Sequence, residues 1–325
     1  MAALALMTLT ACDDPPPFVP TPPGPTVACP DSIDVQSPDD NPVIVSYSAA
    51  TVTGGIAPVT VQCSTASEAE FPIGTTPVTC TATDAQARSS SCTFNVHVRP
   101  APRLSATQFL AFGDSITYGV DSPPVSTLAP PYSYPFQLRD MMAAGYPRQT
   151  FSMVNSGVPG EYASRRHADG GPSGRQRLGR ELMATNPEVL LLMEGTNDLL
   201  DVQDGAADAI QALESMVQDA KGRGVRVFLA TIPPQRLGGR RDRVARSIPG
   251  FNDRLRVLAE QQGVVLVDIY AAMEPDIQNL IGRDDLHPTL LGFDVMARTF
   301  FTAIETHLQA SPPSPSPPPA EKHGR

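Results

Sequence analysis

Four short polar clusters interrupt apolar sequence between residues 113 and 288. They are Gly113-Asp114-Ser115, Asn155 to Gly160, Glu194 to Asp198, and Asp284-Asp285-Leu286-His287-Pro288. Taken singly, each reads as a turn or a helix cap. Together they hold the ingredients of acyl transfer: a serine hydroxyl, an imidazole, carboxylates to orient that imidazole, and amides to meet a developing oxyanion. A serine hydroxyl is a poor nucleophile until a base accepts its proton, and a neutral imidazole suits that task near pH 7. Pro288 disfavours helical geometry at His287 and can itself start the following helix, which leaves the imidazole in a loop. Asp284 lies three residues before His287, close enough for one turn of loop to bring its carboxylate to the ring, and Asp285 competes for that place. Ser115 is at this point either a nucleophile or a helix cap.

The elements that position these clusters decide between the two. Apolar strands are predicted at 108–113, 151–155, 188–193, 225–231 and 264–269. Helices are predicted near 133–144, 175–185, 205–222 and 242–262, with a last one over about 288–308. Five strands, each followed by a helix, predict an α/β fold: a doubly wound, five-stranded parallel sheet covered on both faces. In such sheets ligands bind beyond the carboxyl ends of the strands. All four clusters fall on that edge.

In this order and location the clusters make residues 106–308 resemble the SGNH hydrolases, the GDSL esterase/lipase family, whose sheet is flavodoxin-like. Gly113-Asp114-Ser115-Ile116-Thr117 is similar to the family's first block, which implies that Ser115 is the nucleophile. The second block runs from an Asn to a Gly five positions on, Asn155 to Gly160, so Gly160 rather than Gly157 inherits an oxyanion role. Gly195-Thr196-Asn197-Asp198 places the oxyanion asparagine at Asn197. Asp284-Asp285-Leu286-His287-Pro288 gives Asp284 and His287 as the remaining triad members. Glu161-Tyr162 departs from the Asp-Thr pair common after that glycine, a change expected to bear on substrate shape. The Ser115 N–H at a helix N-terminus, the Gly160 N–H and the Asn197 amide would form the oxyanion hole. Asp114 is expected to brace the serine rather than to act as the triad acid. The Gly-x-Ser-x-Gly elbow of α/β-hydrolases is a different arrangement.

The first hundred residues differ in kind. Short β-branched runs at 33–35, 43–47, 59–63, 78–82 and 93–98, separated by Gly, Pro, Asp and Ser, predict a smaller all-β sandwich over 28–100. Cys29-Pro30, F-P-I-G-T-T-P-V-T-C-T-A-T-D at 71–84 and S-C-T-F-N-V at 91–96 make this segment resemble the hyalin repeat (HYR), an immunoglobulin-like extracellular module. The resemblance implies a spacer or a cell-surface or matrix partner, and no catalytic residue. Cys29, Cys63, Cys80 and Cys92 read as a disulfide framework and an oxidising compartment. Of the three pairings open to them, Cys29–Cys92 with Cys63–Cys80 is preferred. His97 reads as a plain strand residue.

Residues 2–11 form an apolar stretch suited to a signal-peptide core and too short to span a bilayer, although no Lys or Arg precedes it. Leu9-Thr10-Ala11-Cys12 resembles the bacterial lipoprotein box, which implies lipidation of Cys12 and a membrane anchor. The expected order is a signal peptide at 1–11, a Pro-rich tether at 12–27, the β-sandwich, a hydrolase domain at 104–310 and a disordered tail at 311–325. The expected location is periplasmic or cell-surface, with simple secretion as the alternative.

The formal charge of −10 argues against a nucleic-acid partner. The arginines at 165–180 and 236–246 mix with Gly, Asp and Glu and read as solvated helix faces; His167, His307 and His323 read as surface or tail residues. There is no Cys/His cluster, phosphate loop or dinucleotide fingerprint, so no metal or cofactor is expected. The expected substrate is an acyl ester, short-chain or O-acetyl, on a small molecule or polysaccharide. A glycan-binding adhesin without turnover and an acyltransferase on the same acyl-enzyme route are the alternatives.

Overall fold

The computed structural model describes residues 20–120, 132–166, 170–201 and 203–310. The expectations for Cys12, the signal peptide, His167, His323 and the C-terminal tail lie outside the described residues. The chain divides into two compact units at Pro100 and Ala101. Among the described residues no helix is long and apolar enough to cross a membrane.

The first unit is built of strands β1 Thr26–Ala28, β2 Ile33–Gln36, β3 Val43–Val45, β4 Thr51–Thr53, β5 Thr60–Cys63, β6 Ala69–Phe71, β7 Gly74–Thr83 and β8 Ser89–Arg99. They form a four-stranded sheet ordered β2-β8-β7-β5 and two pairs, β1-β4 and β3-β6. The long β7 and β8 alternate as period two requires: Val78, Cys80 and Ala82 face inward from one, Phe94, Val96 and Val98 from the other. Disulfides join Cys29 to Cys92 and Cys63 to Cys80. The sequence reading passes over β1, β4 and β6, three-residue strands with too little apolar periodicity to register. It also assigns residues 20–27 to the tether, and the structure corrects this. Thr26–Ala28 pairs with Thr51–Thr53, and the Pro22 carbonyl accepts a bond of 2.7 Å from Arg88 Nη1.

In the second unit the strands are β9 Gln108–Gly113, β10 Ser152–Gly157, β11 Val189–Met193, β12 Arg226–Ala230 and β13 Val265–Val267. All pair parallel, in the order β10-β9-β11-β12-β13. After β9 the chain winds first to β10 on one side and then to β11 on the other. The topological switch point therefore lies at the carboxyl end of β9, where crevices form in doubly wound sheets. β11 is buried along its whole length, as the continuous run V-L-L-L-M demands when both faces are covered.

The helices are α1 Ser115–Tyr118, α2 Tyr134–Gly145, α3 Gly174–Thr185, α4 Gly205–Gly222, α5 Asp242–Gln262, α6 Ile269–Met273, α7 Ile277–Leu280 and α8 Leu290–Leu308. One set packs α3 on α4 and α4 on α5; the other packs α2 and α6 on α8. α8 begins two residues later than Pro288 suggests, because the Thr289 hydroxyl caps it by accepting from Gly292 N–H. The short α1, α6 and α7 have no periodicity long enough to be read in advance.

Candidate active site

Register brings the clusters together. Gly113 at the end of β9 stands beside Gly157 of β10 and Met193 of β11, so the three following loops leave the sheet in one row. The first packs tightly: a Cβ on Gly157 would lie 2.1 Å from Tyr118 N and 2.8 Å from the Asp114 carbonyl oxygen, so only glycine allows β10 to approach α1 this closely. The Asp114 carboxylate caps α1 by accepting from Ile116 N–H at 2.9 Å. Ser115 is the first residue of α1, where main-chain N–H groups have no partner within the helix.

The Ser115 hydroxyl lies 2.9 Å from His287 Nε2, and His287 Nδ1 lies 2.5 Å from Asp284 Oδ2. The other oxygen of Asp284 accepts the main-chain N–H groups of Leu286 and His287, at 3.1 and 3.0 Å. Burial pushes this carboxyl up, but the His287 ring and those two N–H groups outweigh it and hold the pKa down at about 2. Asp284 is thus an anion across the working range and is aligned to hold an Nδ1–H tautomer. Asp285, the competing residue, turns away in a left-handed conformation with φ 64° and accepts from Arg240 N–H.

Gly160 has φ +77°, a conformation that favours glycine. Asn197 follows β11, and its Nδ2 donates to the Glu161 carbonyl at 2.8 Å, which fixes the amide and leaves a second hydrogen on the same nitrogen. Asp198 ties the same two loops together by accepting from Ala163 N–H at 2.8 Å, Ser164 N–H at 3.1 Å and the Ser164 hydroxyl at 2.6 Å. Asp114 is fully enclosed, and burial pushes its pKa up to about 6 against the opposing pull of Ile116 N–H and His287. Its contact with Ile116 N–H is that of a cap, which leaves the imidazole to Asp284.

Two expectations need correction. Glu161 is enclosed rather than presented to solvent: it is bound two-handed by Arg177, Nε to Oε1 at 2.9 Å and Nη2 to Oε2 at 2.6 Å. Arg177 in turn is no solvated helix residue. It also donates to the Ser156 hydroxyl and carbonyl, at 2.5 and 2.9 Å, and lies 4.0 Å from the Phe112 ring centre. In the second arginine run, Arg236 donates to the Gln278 and Ile281 carbonyls, and Arg241 Nε to Gln235. Arg177 is enclosed, and Arg236 and Arg241 are half-buried, because folding sets acceptors against them from Ser156 and Glu161, from Gln278 and Ile281, and from Gln235 respectively. His97 bonds Thr75 at 2.8 Å within the β-module, and His307 is exposed. Among the described residues no His/Cys/Asp/Glu group could hold a metal.

Sequence reasoning did not foresee that Glu161, Arg177 and Glu194 are enclosed together behind this site. The available signal was a glutamate set directly between the buried Met193 and Gly195, at the end of an otherwise apolar strand.

Comparison with known proteins agrees with this architecture. The GDSL-like Lipase/Acylhydrolase family matches residues 111–295, and the HYR domain matches residues 21–98. The fold is similar to that of a lipase/acylhydrolase from Enterococcus faecalis, at 22% identity over 65% of this chain and 100% of that one, TM-score 0.53. It is also similar to an acetylxylan esterase from Geobacillus stearothermophilus (22% identity, 62% and 95% covered, TM-score 0.50). An aryl esterase of M. smegmatis gives 17% identity, 62% and 100% covered, and a TM-score of 0.53. No curated protein matches the chain.

Proposed function

The chain belongs to the GDSL-like lipase/acylhydrolase family and is a carboxylic ester hydrolase, and we propose that it works outside the cytoplasm on short-chain or O-acetyl esters. The observation that carries the reading is the unbroken relay from the Ser115 hydroxyl through the His287 ring to the Asp284 carboxylate. In this scheme Ser115 Oγ attacks the ester carbonyl while His287 Nε2 takes its proton. The oxyanion is met by the N–H groups of Ser115 and Gly160 and the Asn197 amide. The imidazolium, stabilised by Asp284, then protonates the leaving alcohol. Water discharges the acyl-Ser115 intermediate, with His287 again as the base.

Export is supported by the two disulfides and the HYR module, both marks of an oxidising, extracellular setting. An anchor at Cys12 would keep the enzyme at the membrane, and the HYR module would engage a surface or matrix partner. A polysaccharide O-acetyl substrate fits this setting, and the similar fold of the acetylxylan esterase adds to it. The test is a panel of p-nitrophenyl esters of increasing acyl length, run beside acetylated polysaccharides with release of free acetate measured. Flat activity from acetate to octanoate would remove the short-chain preference. Full hydrolysis by Ser115→Ala would remove the acyl-serine route. Transfer of the acyl group to added sugar acceptors in place of acetate release would make the enzyme a transferase.

A further inference from the structure

Behind the oxyanion residues lie four enclosed carboxyl groups, Asp114, Glu161, Glu194 and Asp198, with one buried arginine, Arg177, among them. They come from separate segments: the end of β9, the loop between β10 and α3, the end of β11 and the turn that follows it. Tyr134 of α2 also lies within their field. A single guanidinium cannot balance four anions in a dry interior, so protons must be retained. Hydrogen bonding shows where. Asp198 accepts three donors and Asp114 one, while Glu161 takes two bonds from Arg177. Glu194, buried at 1% exposure, has no donor at either oxygen. Glu194 and Glu161 border one space: the point where a Cβ on Gly174 would stand is 3.3 Å from Glu194 Oε1 and 3.6 Å from Glu161 Oε2.

We infer that Glu194 is a neutral carboxylic acid that donates its hydrogen to the Glu161 carboxylate, and that this shared proton positions the oxyanion residues. The chain of contacts is short. Glu161 directly follows Gly160, its carbonyl takes the Asn197 amide, and Glu194 stands three residues before Asn197. Each carboxylate oxygen of Glu161 accepts more than one bond, so Arg177 and the Glu194 hydroxyl can be held together. Glu194 is raised well above the ordinary carboxyl range, by burial first and then by Asp114 and Glu161, which agrees with this arrangement. Glu194 is a positioning residue; it touches no reacting atom. The catalytic part of the inference rests on the oxyanion roles proposed above for Gly160 and Asn197. The protonation part does not.

The experiment compares wild type, Glu194→Gln and Glu194→Leu. An infrared difference spectrum at pH 7 between wild type and E194Q is expected to contain the carbonyl band of one protonated carboxylic acid. Its absence overturns the proposal, whatever the esterase assay gives. In kinetics, the Gln amide supplies a donor of the same shape, so E194Q is expected to keep the wild-type kcat. E194L removes the donor at similar volume and is expected to lose roughly 10- to 100-fold in kcat, with KM moved less. E194Q as impaired as E194L would overturn the positioning role. If wild type itself hydrolyses no ester, the functional reading fails while the infrared result still decides the proton.

Discussion

The two units keep their chains rigid by opposite means. The N-terminal unit gathers a core of Val45, Phe71, Val78, Cys80, Phe94, Val96 and Val98 and adds two disulfides. The C-terminal unit holds a core that runs from Leu104 to Leu308 and has no cysteine at all. A small domain buries too little apolar surface to stabilise itself amply, so covalent closure makes up the difference. The larger unit encloses Asp114, Glu161, Glu194 and Asp198 close to Ser115. Among the described residues the smaller unit buries one carboxylate, Asp84, and satisfies it with Arg88 and three main-chain N–H groups. Among the described residues, the buried side-chain atoms without a hydrogen-bond partner, on Glu194, Arg236 and Arg241, all lie in the hydrolase unit.

That contrast can be broken at several points. Ser115→Ala is expected to cut ester hydrolysis by roughly 10⁴- to 10⁶-fold, with both units melting as in wild type; kinetics beside calorimetry checks both halves. Replacing Cys29 and Cys92 by serine opens a loop of sequence separation 63 and should destabilise the N-terminal unit by roughly 4 kcal/mol. The Cys63–Cys80 pair, at separation 17, is expected to cost roughly 3 kcal/mol. Esterase activity is expected to survive both changes, and a parallel loss would show that the units are not independent. Asn197→Ala removes one oxyanion donor and is expected to lower kcat by about 10²- to 10³-fold at little change in KM.

The smallest effect separates the units by pH. Asp84 is held at about 2, because the Arg88 side chain and the N–H groups of Ile56, Arg88 and Gln86 outweigh its burial. Its folded value lies below the unfolded one, so its contribution is present above pH ~4 and is lost as pH falls through about 2. Asp114, raised to about 6 by burial, has the opposite sign: its contribution is full below pH ~4 and is lost as pH rises through about 6. Between pH 4 and 7 the N-terminal melting transition should therefore stay level while that of the hydrolase unit falls. A hydrolase transition that rises over this range would contradict the assignment.

Much of the fold was legible because long apolar runs announce it. The five parallel strands and the five long helices of the hydrolase unit stand within a few residues of their predicted places. The misses are short or poorly patterned: β1, β4 and β6 in one unit, α1, α6 and α7 in the other. The site was legible where residue type is decisive. A serine at a strand tip and a His-Pro loop state their chemistry in one dimension. Arg177 could not be read this way, since an arginine at an amphipathic spacing is usually solvated. Only the return of residue 161 against α3 makes it internal.

By itself, then, the sequence determined which residue types are present to carry acyl transfer, their order, the period of each long element and hence the strand edge where they emerge. Tertiary structure decided three things. It turned Asp284 rather than Asp285 to the imidazole, because the backbone takes a left-handed turn at 285. It closed Arg177 on Glu161 across 16 residues. It also left Glu194 enclosed without a donor. The reason is common to all three: desolvation and hydrogen-bond geometry depend on what arrives from distant segments, and neighbours along the chain do not specify that.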